Sequence, residues 1–61
     1  KLSQLSFDDQ KIVSVLERSE KTIEELTEET GFPIQKLNAL LTMLEIKGLV
    51  KQLPGNTYVL I

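Results

Sequence analysis

The chain has 61 residues, a formal net charge of −2, and neither cysteine nor histidine. This composition excludes disulfides, Cys-based zinc sites and the commonest general base, and the net charge is unlike that of most nucleic-acid-binding domains. No apolar segment approaches the ~20 residues of a membrane-spanning helix, and no signal peptide is visible. We expect one small cytoplasmic domain with no enzyme activity, no metal and no cofactor. Since the chain does not begin with Met, we expect it to be a piece of a longer protein.

The charges are unevenly distributed along the chain. Residues 1–33 carry four basic and eight acidic side chains, a net charge of −4, whereas residues 34–61 carry three basic and one acidic side chain, a net charge of +2. The C-terminal part is therefore the basic end. We expect residues 1–5 to be the end of a linker and residues 6–61 to form the domain.

The first predicted helix begins at the stretch Ser6-Phe7-Asp8-Asp9. The Ser6 hydroxyl can cap the helix backbone, and Asp9, three residues later, can return a hydrogen bond. Two acidic residues in the first turn also suit the positive end of the helix dipole. Apolar residues at helical spacing follow, namely Ile12, Val13 and Leu16. The pattern predicts a helix over residues 7–19.

The second predicted helix is short and begins with a capping box. Thr22 can cap the backbone, and Glu25 can return the bond. The helix should cover residues 23–30, because Gly31 is a natural C-terminal stop. Residues 21–23, just before it, could form a minimal strand.

The third predicted helix begins at Phe32-Pro33, where proline suits the first turn, and ends at Gly48. One face is strongly apolar at helical spacing, with Ile34, Leu37, Leu40, Leu41 and Leu44. About three residues that include a glycine separate this helix from the second. That arrangement is typical of a helix-turn-helix.

The last part of the chain reads as a β-hairpin. The runs LVKQL and TYVLI flank Pro54-Gly55-Asn56, and glycine and asparagine tolerate the positive φ of a tight turn. A lone hairpin is only marginally stable, so this one should pack on the helices. The expected fold is mainly α with a small β-hairpin: a winged helix of three helices and a two- or three-stranded antiparallel wing.

The chain resembles the C-terminal winged-helix domain of the DNA-processing DprA/Smf family. The resemblance covers about residues 5–61, and LEIKGLV at residues 44–50, followed by Leu53-Pro54-Gly55 and Tyr58, carries most of it. It implies an accessory role in natural transformation, in a protein that handles incoming single-stranded DNA and loads the RecA recombinase. In such proteins an upstream Rossmann-like domain does most of that work. Two positions depart from the family pattern: Pro33 replaces a common capping serine, and Asn56-Thr57 replaces a common Gly-Arg.

Candidate DNA-binding residues are concentrated in the basic end. Phosphate contact requires cations, and neutral hydrogen-bonding side chains can assist. The candidates are Gln35, Lys36, Asn38, Lys47, Lys51 and Asn56. The third helix has no arginine, the commonest side chain for reading guanine, so base-specific readout is not favoured. We expect weak contact with the backbone of single- or double-stranded DNA, or solubility as the only role of these lysines.

Candidate protein-contact residues lie on the predicted outer face of the third helix. Ala39, Met43 and Ile46 recur at i, i+4 and i+7, opposite the apolar core face. Methionine is favoured at adaptable binding surfaces, and exposed apolar patches often mark interfaces. Possible partners are a second copy, the upstream Rossmann-like domain, and RecA through the full-length protein. Alternatively, Ile46 packs under the wing.

Other residues have plainer interpretations. The acidic side chains of the second helix, Glu24, Glu25, Glu28 and Glu29, are expected to form a solvated face rather than catalytic carboxylates. Tyr58 is expected to pack the wing on the helices rather than stack on bases. The alternative function is the DNA-binding headpiece of a winged-helix transcription regulator, which a strongly basic third helix would have favoured.

Overall fold

The computed structural model describes residues 5–61, which form three helices and a three-stranded antiparallel sheet. In chain order the elements are α1 (Phe7–Leu16), β1 (Lys21–Thr22), α2 (Ile23–Thr30), α3 (Ile34–Ile46), β2 (Val50–Leu53) and β3 (Thr57–Leu60). The predicted winged helix is confirmed, with α2 and α3 as the helix-turn-helix and the sheet as the wing. Within the described residues, no helix is both long enough and apolar enough to cross a membrane.

The N-terminal boundary of the packed domain differs from the prediction. Residues 1–4 of the expected linker lie outside the described residues. Leu5, the last residue of that segment, is buried in the hydrophobic core and its carbonyl accepts a bond from Gln10 Nε2. Leu5 therefore belongs to the packed domain, because burying its side chain removes apolar surface from water.

Helix α1 begins where predicted and ends earlier. The Ser6 hydroxyl accepts a hydrogen bond from Asp9 N at 3.1 Å, as expected for the cap. The prediction that the helix continues to residue 19 is wrong, because it ends at Leu16. Leu16 is the last residue of the buried stripe, and residues 17–20 are all exposed. No buried side chain anchors a further turn, and short helices depend on such packing.

Helix α2 has the predicted bounds and a complete capping box. Thr22 N donates to Glu25 Oε1 at 2.9 Å, and Glu25 N donates to Thr22 Oγ1 at 3.2 Å. At the other end Gly31 adopts a φ of 78°, which favours glycine. The preceding strand β1 has two residues instead of three, since Ile23 already begins the helix.

Helix α3 packs through Leu37, Leu41 and Leu44, each at most 1% exposed, with Leu40 partly buried beside them. The prediction that Ile34 belongs to this core face is wrong, because Ile34 is 50% exposed. The Cα–Cβ bonds of a helix tilt toward its N-terminus. The side chain of the first residue is therefore directed past the helix end, where less of the core surrounds it.

The wing is a sheet with strand order β1-β3-β2, so the hairpin is joined by the short strand that precedes α2. The turn between β2 and β3 has positive φ at Gly55 (84°) and Asn56 (59°), as the turn residues predict. Val50 and Tyr58 are buried, and the two sit on one face of the sheet because Val50 pairs with Leu60 and Gln52 with Tyr58.

Tyr58 packs the wing against the helices, as expected. It is 7% exposed, so its ring cannot serve as a platform for nucleic-acid bases. Burial, and to a lesser extent the nearby Glu45 carboxylate, raises the pKa of the Tyr58 hydroxyl above its ordinary 10.0. The core as a whole draws on all three helices and the wing, and its fully buried side chains are Ile12, Leu26, Leu37, Leu41, Leu44 and Val50.

Candidate interaction surface on helix α3 and the wing

The outer face of α3 is exposed and largely apolar. Met43 is 50% exposed and Ile46 is 73% exposed, and Ala39 is exposed between Gln35 and Thr42. We call Ala39, Met43 and Ile46 the α3 ridge. The alternative in which Ile46 packs under the wing does not occur. The structure thus places the three predicted protein-contact residues on one open surface, and their role stays a prediction.

Lys36 lies beside this face, and its ammonium group is already engaged. Its Nζ is 3.0 Å from Asp8 Oδ2, and 4.5 Å from the centroid of the Phe32 ring. Lys11 approaches the same ring at 5.5 Å, within the range of cation–π attraction. The Lys36 charge is therefore directed toward α1 and the start of α3.

Lys47, at the C-cap of α3, is drawn toward α1 as well. Its Nζ is 3.7 Å from Asp9 Oδ2, and only 8% of the Asp9 side chain is exposed. The other carboxylate oxygen, Asp9 Oδ1, is buried without a hydrogen-bond partner among the described residues. Asp9 therefore does not complete a capping box at Ser6, as sequence analysis expected, and it faces the end of α3.

Lys51 sits on a different surface from the α3 lysines. Lys51 follows the buried Val50 on β2, and its Cα pairs with that of Val59. Because successive side chains of a strand point to opposite faces, the Lys51 side chain lies on the sheet face turned away from the core. Lys51 is exposed and has no ion pair among the residues that the structure describes. The basic end therefore has two separate parts rather than one continuous cationic surface.

The turn end of the wing carries two polar side chains, Gln52 and Asn56. Gln52 Nε2 and Asn56 Oδ1 are 3.5 Å apart, at the weak limit of a hydrogen bond. The Asn56 carbonyl accepts a bond from Ile23 N at 3.0 Å, which ties the turn to the start of α2. The turn backbone is thus held in place, while both side chains remain exposed.

The remaining polar candidates, Gln35 and Asn38, are both exposed on α3. The Asn38 carbonyl accepts a bond from the Thr42 hydroxyl at 2.8 Å, so that hydroxyl is directed at its own helix. Beside the ridge, this face therefore offers a few neutral amides to a partner. The predicted DNA-binding roles of Gln35, Asn38 and the other candidates stay predictions.

The sequence did not indicate that Asp8 and Asp9 contribute to this surface. Their position in the first turn of α1 explains them as helix-dipole partners, and no local pattern shows that they also reach Lys36 and Lys47. The pairing depends on how α1 crosses α3. The excess of acid in the first part of the chain over the basic end is the one signal that could have suggested such contacts.

A second ionic cluster lies on the opposite end of α1. Glu29 Oε1 is 2.7 Å from Arg18 Nη2, and Glu29 Oε2 is 2.9 Å from Lys21 Nζ. The hydrogen bond from Lys21, together with the charges of Lys21 and Arg18, holds the pKa of the Glu29 carboxyl below its ordinary 4.5, although partial burial opposes this shift. The cluster joins the segment after α1, β1 and α2, and none of its residues lies on α3.

Comparison with known protein families gave one result. The chain matches the sequence model of the DprA winged helix domain over residues 1–56 of its 61 residues. The matched part covers all three helices, β1 and β2, and it stops before β3. A search of curated proteins gave no match. Since the match spans most of the chain and the element order agrees with it, the chain belongs to the DprA winged helix domain family.

Proposed function

We propose that this domain is a non-enzymatic accessory module of a DNA-processing protein, and that it works mainly through protein contact. The family supports an accessory role in a DprA-like protein. In the finer version of the proposal, the protein acts in natural transformation, on incoming single-stranded DNA, with RecA as a partner of the full-length protein. The observation that carries the proposed mode of action is the α3 ridge.

The α3 ridge suits a protein partner better than a nucleic acid. In a helix-turn-helix the second helix normally supplies the groups that read a DNA groove. Here that helix presents Met43 and Ile46, 50% and 73% exposed, and the two lysines beside them are paired with aspartates. Interface cores are depleted of charge and enriched in methionine and aromatic residues, so the ridge has the composition of a protein-contact surface.

The small size of the α3 ridge points to a tethered partner. A stable interface between separate proteins buries about 800 Å² on each side, more than three side chains on one helix supply. Tethering removes this limit, because it raises the effective concentration of the partner. We therefore propose that the ridge docks on the Rossmann-like domain of the same polypeptide, with a second copy as the alternative outcome of the test.

The substitution Met43→Glu tests this proposal. It should leave the domain folded, because Met43 lies outside the core, and it should abolish docking, because the interface would bury an unpaired charge. The measurement is binding of the 61-residue chain to the separately prepared Rossmann-like domain, with sedimentation of the chain alone to detect self-association. The matched control is Ser14→Glu, which adds the same charge to an exposed position of α1. Equal binding by the Met43→Glu and Ser14→Glu variants would refute ridge docking.

Weak DNA contact through the wing is the second candidate function. The observation that favours it is Lys51, which has no ion pair among the described residues, on a hairpin that also exposes Gln52 and Asn56. One cation and two amides can position a phosphate backbone, but they carry little sequence information. A transcription-regulator headpiece is less well supported, because the outer face of α3 has neither arginine nor an unpaired lysine.

A further inference from the structure

We propose that the first turn of α1 determines the class of partner that α3 accepts. Asp8 and Asp9 pair with the ammonium groups of Lys36 and Lys47 as phosphate groups would, and so exclude nucleic acid from α3. The exclusion of nucleic acid from α3 goes beyond the proposed docking of the α3 ridge, and it does not depend on which protein docks there.

The two ion pairs have the chemistry of a lysine–phosphate contact. A lysine ammonium group donates to carboxylate and phosphate oxygens in the same way, through short charge-assisted contacts. Asp8 Oδ2 is 3.0 Å from Lys36 Nζ, which is a direct contact of this kind. A DNA phosphate that approached Lys36 would have to displace the Asp8 carboxylate or share the ammonium group with it. The phosphate would also be repelled by the negative charge of that carboxylate.

Burial makes the longer pair, Lys47 with Asp9, the harder one to break. Lys47 Nζ and Asp9 Oδ2 are 3.7 Å apart, so distance alone ranks this pair below the first. However, the Asp9 side chain is only 8% exposed and its Oδ1 has no hydrogen-bond partner among the described residues. Withdrawing Lys47 to a phosphate would leave a buried carboxylate without its cation, which is strongly unfavourable. Asp8 and Lys36 are both more exposed, and such exposed pairs are weak.

Together the two ion pairs change the charge that α3 presents to a partner. With both lysines paired, neither lysine of this α3 flank offers an unpaired charge to a phosphate backbone, and Lys11 of α1, which lies over the Phe32 ring, is the cation left beside it. Nucleic-acid binding draws most of its affinity from such charge. Paired lysines beside an apolar ridge disfavour DNA and leave contact with a protein unhindered. The two aspartates would thus disfavour nucleic acid without contributing to contact with a protein.

The test removes the two carboxylate charges without changing side-chain shape, by the double substitution Asp8→Asn and Asp9→Asn in the 61-residue chain. The measurement is the affinity for a short labelled DNA duplex over a range of salt concentrations. Each lysine released to a phosphate should steepen the dependence of log affinity on log salt by about 0.9. Between roughly 50 and 200 mM salt, the double variant should therefore lose about tenfold more affinity than the unsubstituted chain, and it should bind more tightly at low salt.

The matched control is the double substitution Glu24→Gln and Glu28→Gln. It changes the net charge by the same amount at exposed positions of α2 that have no ion pair among the described residues. The control should keep the salt dependence of the unsubstituted chain. Equal gains from both double variants would show that only net charge matters and would overturn the proposal. So would an unchanged affinity of the Asp8→Asn, Asp9→Asn variant.

Two further variants keep the test decisive if loss of the buried Asp9 charge unfolds the domain. Asp8 is only partly buried, so Asp8→Asn alone should fold and should give about half of the increase in salt dependence. Adding Lys36→Met to Asp8→Asn should cancel that increase, and failure to cancel it would contradict the assigned pair. Docking on the Rossmann-like domain should be unaffected by Asp8→Asn. Loss of docking with Met43→Glu therefore tests the proposed function, whereas a steeper salt dependence with Asp8→Asn tests the exclusion of nucleic acid from α3.

Discussion

Single side chains carry a large share of the stability of this domain because its core is small. A chain of this length buries only about 60% of the surface that it exposes when unfolded. Leu41 and Ile34 show the contrast between two aliphatic residues of one helix. Leu41 is 1% exposed and Ile34 is 50% exposed, so the same apolar chemistry has very different consequences at the two positions.

The substitution Leu41→Ala should lower the free energy of unfolding by ~2–5 kcal/mol, because it removes buried methyl groups and leaves a cavity. That loss could equal most of the stability of so small a domain. Ile34→Ala on the same helix is the control and should cost much less. Thermal and urea denaturation measure both variants. A Leu41→Ala protein with a nearly unchanged melting temperature would contradict the described packing of α3.

At the scale of elements, local chemistry determines α2 more completely than α1. The capping box of Thr22 and Glu25 and the stop at Gly31 both lie within a few residues of the helix, so the sequence predicted both ends of α2. The end of α1 at Leu16 depends instead on where the neighbouring elements stop covering it. For the same reason the sequence predicted the hairpin, but it could not predict that β1 pairs with β3 and not with β2.

The candidate surface was predictable to a similar extent. Helical spacing correctly placed the α3 ridge on the exposed side of the helix, because exposure follows from periodicity once the core face is known. The state of Lys36 and Lys47 was not predictable. It depends on contacts with Asp8 and Asp9, more than twenty-five residues earlier in the chain, which only the packing of α1 on α3 brings into reach.

The Glu29 cluster joins α2 to β1 and to the segment after α1, and it makes their association dependent on pH. The pKa of the Glu29 carboxyl is lower in the folded domain than its ordinary value, so the cluster stabilises the fold above the ordinary value and loses this contribution as pH falls through the lowered one. Glu29→Gln should therefore lower the melting temperature slightly at neutral pH and have no effect in strong acid. The effect should be small, because Arg18 is 69% exposed.

Melting curves at several pH values check this expectation, with Glu28→Gln as the control because Glu28 is exposed on the same helix without an ion pair among the described residues. The control should melt like the unsubstituted chain at each pH. A deficit of the Glu29→Gln variant that persists unchanged in strong acid would show that the carboxylate charge is not its cause.

At the scale of the whole molecule, the uneven distribution of charge along the chain is partly balanced by ion pairs between distant residues. The acidic N-terminal part and the basic C-terminal part neutralise each other where α1 meets α3, through Asp8 with Lys36 and Asp9 with Lys47. The α3 ridge remains exposed, and so does Lys51 on the sheet face turned away from the core. The domain therefore keeps the winged-helix architecture, while the helix that usually reads DNA presents an apolar ridge and lysines paired with aspartates, as the proposed protein contact requires.

An NMR titration that follows the backbone amides tests this central claim most directly. The 61-residue chain would be titrated separately with the Rossmann-like domain that is proposed as its partner and with a short DNA duplex. We expect the Rossmann-like domain to shift the amides of Ala39, Met43 and Ile46. The duplex should shift only wing amides around Lys51 and Asn56, and these shifts should fade by ~200 mM salt. Duplex-induced shifts along the whole of α3, with no response of the ridge to the Rossmann-like domain, would contradict the account.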